Sequence, residues 1–193
     1  MMGGGYAIRP SRPDDLERLA AVERSAATVY FEALGIRAGI PETMPPAVLR
    51  ACHEAGLVWV AADGSGDPVG FLAAAEVDGI PFVKEMSVHR DHQGRGLGRR
   101  LMEALAGHAA QRGRAALALT TDRFIPFNAP FYARLGFVEL PPGEATEGLR
   151  RILAEEAAQG FDPRRRVLMV RSLRALQDGA VPLYPERRTE ERS

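Results

Sequence analysis

The sequence of 193 residues holds one cysteine (Cys52), one tryptophan (Trp59) and one lysine (Lys84). A lone cysteine excludes an internal disulfide and every paired-cysteine metal motif. Cys52 is therefore expected to be a packing residue. Arginine carries almost all the positive charge, a compositional bias, since either basic residue suits a solvated surface. An excess of one sign is also missing: Lys+Arg and Asp+Glu are 25 each, for a net charge of +0. This balance argues against a general nucleic-acid binder. No stretch approaches the roughly 18 apolar residues of a membrane span. The opening MMGGGYAIRP lacks the apolar run of a signal peptide. These absences set the default expectation: a soluble, cytoplasmic protein with neither membrane nor nucleic acid as partner.

An apolar fraction of 46% supports a real core, and the length suits one α/β domain with or without an extension. The chain is organised around His89–Gly98, HRDHQGRGLG. A strand-like run, Pro81–Val88, precedes it, and a helix-like run begins near Gly96. Gly94, Gly96 and Gly98 leave backbone N–H groups clear of side chains, and a helix N-terminus adds unpaired N–H groups and a positive dipole end. Arg90, Arg95, Arg99 and Arg100 face a single acid, Asp91. This is the build of a phosphate or pyrophosphate cradle.

Around it the pattern predicts a strand at Tyr6–Arg9 and a helix opening at Ser11–Asp15 with Leu16, Leu19, Ala20 and Val22 inward. A second amphipathic piece is expected over Ala26–Leu34. Gly35–Pro46 reads as a loop suited to be a pocket wall or lid, and Pro46–Ala55 as a short helix. Strands follow at Leu57–Ala62, Val69–Ala75 and Phe82–Val88, an antiparallel meander. Leu97, Leu101, Ala104, Leu105 and His108 fall at helical spacing, with Gly113 as the stop. Ala115–Thr120 is an uninterrupted apolar run suited to a central strand. Strand, glycine loop, helix and strand form a βαβ crossover, so Phe82–Val88 and Ala115–Thr120 should be parallel. Asn128 is placed to cap a short helix, Gly136 to end it, and Gly136–Leu140 to continue as a strand. An additional helix over Ala145–Gly160 and a last strand at Val167–Val170 complete a domain of residues 1–173. Residues 174–193 are expected to be a peripheral tail.

Three nucleotide cradles compete. A P-loop ends in Gly-Lys-Ser/Thr, whereas Gly98 is followed by Arg99-Arg100. A Rossmann fingerprint opens the first βαβ unit with G-x-G-x-x-G, whereas G-x-G-x-G occurs here after a meander. Gln93-Gly-Arg-Gly-Leu-Gly98, led in by Val88–His92, resembles the Gln/Arg-x-x-Gly-x-Gly/Ala signature of the GNAT superfamily of N-acetyltransferases. Asn128–Phe137 is similar to that family's second signature region. The resemblance covers Tyr6 to about Val138, with Val167–Val170 as the closing strand.

It implies an α/β fold with a mixed, mostly antiparallel central sheet, splayed between its fourth and fifth strands and flanked by helices. It also implies acetyl-CoA as the acyl donor. The backbone of Gln93, Gly94, Arg95, Gly96, Leu97 and Gly98 would bind the pyrophosphate, with Arg95 and Arg99 as phosphate contacts. Amides of Met86, Ser87 and Val88 would hold the pantetheine and face the thioester, and Asn128 would contact the coenzyme from the far side. Tyr132 matches the tyrosine that many members use as a general acid toward the thiolate. The chain between Val138 and Val167, longer than a simple hairpin, implies a distinctive acceptor pocket.

Acyl transfer to an amine needs a base for the ammonium, donors for the oxyanion and a proton for the sulfur. Glu85 is the candidate base. Strict alternation puts it on one face with Val83 and Ser87, and puts Lys84, Met86 and Val88 on the other. His89 and His92 lack a third ligand, so no metal is expected. Asp122, Arg123, Phe124, Tyr30, Phe31 and Trp59 are further candidates to line the acceptor site. Glu85 and Asp122 are the acids whose placement favours an ammonium. The expected activity is transfer of an acetyl group to a primary amine by direct attack in a ternary complex. The acceptor would be a small molecule, a peptide or a protein amine, and a homodimer is compatible. The alternative is a non-catalytic acyl-CoA-binding sensor built on the same cradle.

Overall fold

The computed structural model describes residues 5–35 and 42–174. The Gly35–Pro46 loop lies partly, and the expected tail almost wholly, outside them. Seven strands form one sheet. They are β1 (Ala7–Pro10), β2 (Val58–Ala62), β3 (Pro68–Val77), β4 (Ile80–Val88), β5 (Ala116–Asp122), β6 (Val138–Glu139) and β7 (Arg166–Ser172). Their order is β1-β2-β3-β4-β5-β7-β6, and every pairing is antiparallel except β4 with β5. The meander turns at Asp78-Gly79, where φ is +49° and +78°. Two left-handed residues make the turn that matches strand twist, and Asp-Gly suits it.

The one parallel pairing is short. Register joins only Phe82 to Ala118 and Val83 to Leu119. Beyond Val83, β4 keeps β3 as its neighbour and parts from β5. The sheet is thus splayed between its fourth and fifth strands, as expected.

Helices α1 (Leu16–Leu34), α2 (Pro46–Glu54) and α5 (Glu147–Ala158) cover one face, and α3 (Leu97–Gln111) with α4 (Ala129–Ala133) the other. Leu101, Met102, Leu105 and Ala109 of α3 pack on Leu117 and Leu119 of β5. From the opposite side of β5, Ala116 and Ala118 meet Leu149 of α5. Burial on both faces explains the unbroken apolar run of this strand. Leu19 and Val22 of α1 join Leu49 and Cys52 of α2 over Val58, Val60 and Phe71. Cys52 is buried there, and burial pushes its thiol pKa up, as suits a packing residue.

Two expectations change. The two pieces foreseen before Gly35 are one continuous helix, α1, which ends at Gly35 with φ +70°. No proline or glycine interrupts Leu16–Leu34, so backbone hydrogen bonding runs through the polar Arg24-Ser25. Asn128 precedes α4 but its side chain makes no capping bond. No helix among the described residues is long and apolar enough to cross a membrane.

Candidate active site

The loop after β4 curls into α3. Gly94 and Gly96 have φ of +72° and +74°, a left-handed conformation that side-chain-bearing residues rarely adopt. Gly96 sits at the N-terminus of α3, and no side chain caps that end. The first helical bond runs from the Arg100 N–H to the Gly96 carbonyl, so the preceding N–H groups of the turn remain for a ligand. A Cβ on Gly98 would stand 3.4 Å from Phe131 Cζ and 3.5 Å from Met86 Cε. A Cβ there would make only ordinary contact with α4 and β4. These features fit a pyrophosphate.

The surrounding side chains divide into those that build the loop and those free to serve it. Gln93 Nε2 donates to the Val88 carbonyl at 3.0 Å, tying the loop to the end of β4. His92 Nδ1 and the Tyr6 hydroxyl share a bond of 2.9 Å, and His89 Nδ1 accepts from the Asp91 N–H at 3.3 Å. Both histidines therefore serve the loop. Arg90 is spent on Thr28 and Glu32 of α1, and Arg100 on the Tyr6 carbonyl. Among the described residues Arg95 and Arg99 have no carboxylate partner; Arg95 lies over the Tyr6 ring at 6.0 Å.

Strand β4 supplies the wall of the cleft, with a change of register. Ala73 opposes Glu85 and the next residue, Ala74, opposes Val83. Lys84 is the extra residue of a β-bulge. Val83 consequently packs with Met86 on the α3 face, and Glu85 shares only Ser87's side. The face predicted for Val83 is corrected by this bulge, which re-aims the side chain before it. Ser87 Oγ donates to Glu85 Oε1 at 2.6 Å. Burial raises the Glu85 pKa, against that bond and the distant Arg166 charge. The His89 N–H donates to the Val69 carbonyl at 2.8 Å. Alternation then turns the Ser87 amide toward β3, and the Met86 and Val88 amides toward the gap left by β5.

The far wall is α4. Tyr132 packs edge-on against Phe131 and Phe137, with centroids 5.2 and 5.8 Å away. Burial first, then the Glu85 charge, raise the phenol pKa well above its ordinary value. The phenol is protonated at neutral pH, and its hydroxyl has no hydrogen-bond partner among the described residues. Asn128 lines the same cleft.

The cleft between these walls has a volume of about 680 Å³. It takes in Glu85, Met86, Ser87, Val88, Gln93, Gly94, Gly96, Leu97, Gly98, Arg99, Asn128 and Tyr132. Arg95 is not among its lining residues. Tyr30 and Phe31 also line it. The other acceptor-site candidates do not. Trp59 packs edge-on against His108 at 5.7 Å, and Arg123 pairs with Glu139. Asp122 accepts the N–H groups of Phe124 and Ile125 at 2.8 and 3.1 Å, and Arg165 Nε at 2.8 Å. Burial alone would raise its pKa, but these donors hold the carboxyl below its ordinary value. Asp122 is thus a loop-building residue.

Among the lining residues outside the candidates are Glu23, Thr120, Phe161 and Arg166. Glu23 carried a signal. It sits on the inward stripe Leu19, Glu23, Ala26, Ala27, Tyr30, where an apolar residue is the rule. Thr120 and Arg166 belong to a network with Glu156 of α5, at 2.6 to 3.0 Å. The inserted helix therefore reaches the cleft through Arg166.

A splayed parallel strand pair with a glycine loop at its mouth and a buried carboxylate and phenol along its walls defines a class: mixed-sheet α/β proteins of the acyl-CoA N-acyltransferase fold. Residues 54–139 match the family described as acetyltransferase (GNAT) domain. The chain is 33% identical over 129 residues to serotonin N-acetyltransferase 2, chloroplastic, of Oryza sativa subsp. japonica. That match covers 63% of this chain and 62% of the relative. A GNAT-family acetyltransferase from Staphylococcus aureus superposes with a TM-score of 0.65 at 17% identity, covering 88% of this chain and 99% of that one. N-acetylglutamate synthase from Neisseria gonorrhoeae, complexed with coenzyme A and N-acetyl-glutamate, gives 0.66 at 19% identity, over 88% and 35%. Residues 54–139 are thus matched by the GNAT acetyltransferase domain family, and over 88% of the chain the fold is that of solved GNAT structures.

Proposed function

We propose that the protein is an acetyl-CoA-dependent N-acetyltransferase, with residues 1–173 as its working domain. Its acceptor is a primary amine, attacked directly in a ternary complex. The observation that carries this is the placement of Glu85 and Tyr132 in one cleft with the cradle, close enough for the Glu85 charge to bear on the phenol. Support for the donor comes from the fit of the glycine loop to a pyrophosphate and from the coenzyme A bound by the gonococcal relative.

Each residue has a task. Gly94 to Gly98, Arg95 and Arg99 hold the phosphates, and Asn128 holds the coenzyme from the α4 side. Glu85 takes a proton from the acceptor ammonium, directly or through water. The amides of Met86 and Val88 face the oxygen that gains charge as the nitrogen–carbon bond forms. Tyr132 gives its proton to the sulfur as the carbon–sulfur bond breaks. Holding both substrates together removes the need for a covalent enzyme intermediate.

The test is a screen for free thiol and acetylated product, offering acetyl-CoA with pooled alkylamines, amino acids, polyamines, aminoglycosides and peptides. Stoichiometric thiol and acetylated amine are expected with at least one pool. Tight coenzyme binding without thiol release from any pool would establish the sensor instead.

A further inference from the structure

Glu23 is a carboxylate with no task in the acyl transfer itself. Its residue is 9% exposed, between Leu19 and the small residues Ala26 and Ala27 on the inward side of α1. Burying a carboxylate is costly unless it is paired. Among the described residues Glu23 accepts only the Met44 N–H, at 2.9 and 3.1 Å, and enters no salt bridge. Burial, and then the like charge of Glu85, push its pKa up to about 7. Two carboxylates thus open into one cleft with no salt-bridge partner among the described residues; the more distant charges of Arg24 and Arg166 bear on Glu23 and Glu85 respectively. The complement they lack is an ammonium ion.

The walls beside them narrow the rest of the ligand. Ala27 and Tyr30 continue the α1 side, and Phe161, 42% exposed, stands at the cleft from the α5–β7 connection. Arg166 is the cation at that end. Its Nε and Nη2 are held by Glu156 at 2.9 and 2.7 Å, and its guanidinium lies 4.8 Å from the Phe161 ring. An acceptor carboxylate therefore meets a charge already neutralised, beside two acids that repel it.

We propose that Glu23 is an acceptor-binding residue: with Glu85 it brackets the ammonium of a primary amine whose apolar, aromatic-sized body lies against Ala27, Tyr30 and Phe161. Amines bearing an α-carboxylate are selected against. The chemistry after binding rests on the acetyltransferase reading, but the binding stands on its own.

The test is calorimetric titration of phenethylamine into the protein saturated with coenzyme A, where no turnover occurs. Glu23→Gln keeps an oxygen for the Met44 N–H and removes the charge. Phenethylamine is expected to bind the wild type and to bind Glu23→Gln at least about ten-fold more weakly, the loss of one charge-assisted contact. Coenzyme A affinity should be unchanged, and phenylalanine should bind the wild type at least about ten-fold more weakly than phenethylamine. In turnover the variant should raise KM with kcat within a few-fold. Undetectable phenethylamine binding to the wild type, equal affinity in the variant, or phenylalanine binding as tightly would each overturn the proposal. Phenethylamine binding without thiol release from acetyl-CoA with any amine would instead overturn the acetyltransferase reading and leave this one standing.

Discussion

Glu85 owes its direction to Lys84. Alternation from Val83 would put Lys84 and Met86 on a common face; the bulge places Val83 with Met86 and frees Lys84 to the exterior. The place of Glu85 on the cleft was therefore legible, but its neighbours were not, because a bulge is a property of the pairing with β3 and leaves no mark within β4. Asp122 and Glu23 show the same limit. Only the folded chain shows that Asp122 is consumed by two amides and Arg165 while Glu23 opens into the cleft. Tyr132→Phe removes only the hydroxyl. It should lower kcat by about a hundred-fold or more, as loss of a general acid does, with the melting temperature little changed. Glu23 has a signature in stability. Its carboxyl value rises from 4.5 unfolded to about 7 folded. Below 4.5 both states hold the proton, so folding bears no penalty. Between the two values the unfolded chain ionises first and stability falls; above 7 the penalty is complete. Glu23→Gln should therefore melt higher than wild type above pH 7, by up to roughly 3 kcal/mol. The difference should vanish as pH falls through 4.5. Melting curves across this range check it.

The elements were mostly legible, because each carries a local cause. The glycine loop announces positive φ, the Asp-Gly pair a tight hairpin, and the two-faced apolar run a central strand. The continuity of α1 was harder to read, since Arg24-Ser25 resembles a break until tertiary packing holds both halves of the helix on one face of the sheet. The role of α5 also lay beyond local pattern. Its N-terminus approaches the Asp78 turn, where the Gly148 N–H donates to Asp78 Oδ2 at 2.7 Å. A Cβ on Gly148 would fall 2.7 Å from that same carboxylate oxygen and 2.8 Å from Val77 Cγ1. The cradle glycines should separate by cause. Gly96→Ala forces a left-handed alanine, at a cost of about 1–2 kcal/mol, and should weaken coenzyme A binding. Gly98→Ala brings a Cβ only into ordinary contact and should cost less. Urea unfolding and calorimetry with coenzyme A read the two effects apart; equal losses would contradict the assignment.

At the scale of the whole molecule, the sheet opens a single path between β4 and β5, and the helices on its two faces divide the labour. Residues at the start of α3 and on α4 line one side of the cleft; α1 and Phe161 of the α5–β7 connection line the other. A ligand that bridges the splay should stiffen both halves together. Coenzyme A at a hundred times its dissociation constant should add about 2.7 kcal/mol to stability. For a chain of this size that corresponds to roughly 5–10 °C in melting temperature. Scanning calorimetry should show one transition moving as a unit; movement of only part of the transition would contradict a cleft shared by both halves.

Acetyl transfer in that cleft is the central claim, and the most direct measurement is the initial rate of thiol release from acetyl-CoA, with acetylated amine counted in parallel. Wild type, Glu85→Gln and Tyr132→Phe would be compared at matched coenzyme saturation. One thiol per acetylated amine is predicted for the wild type, with both variants binding coenzyme A normally and turning over slowly. The acid limb of the wild-type rate should lie above the ordinary carboxylate range, because Glu85 must be ionised to act and burial raises its pKa. Wild-type rates in both variants would contradict the account.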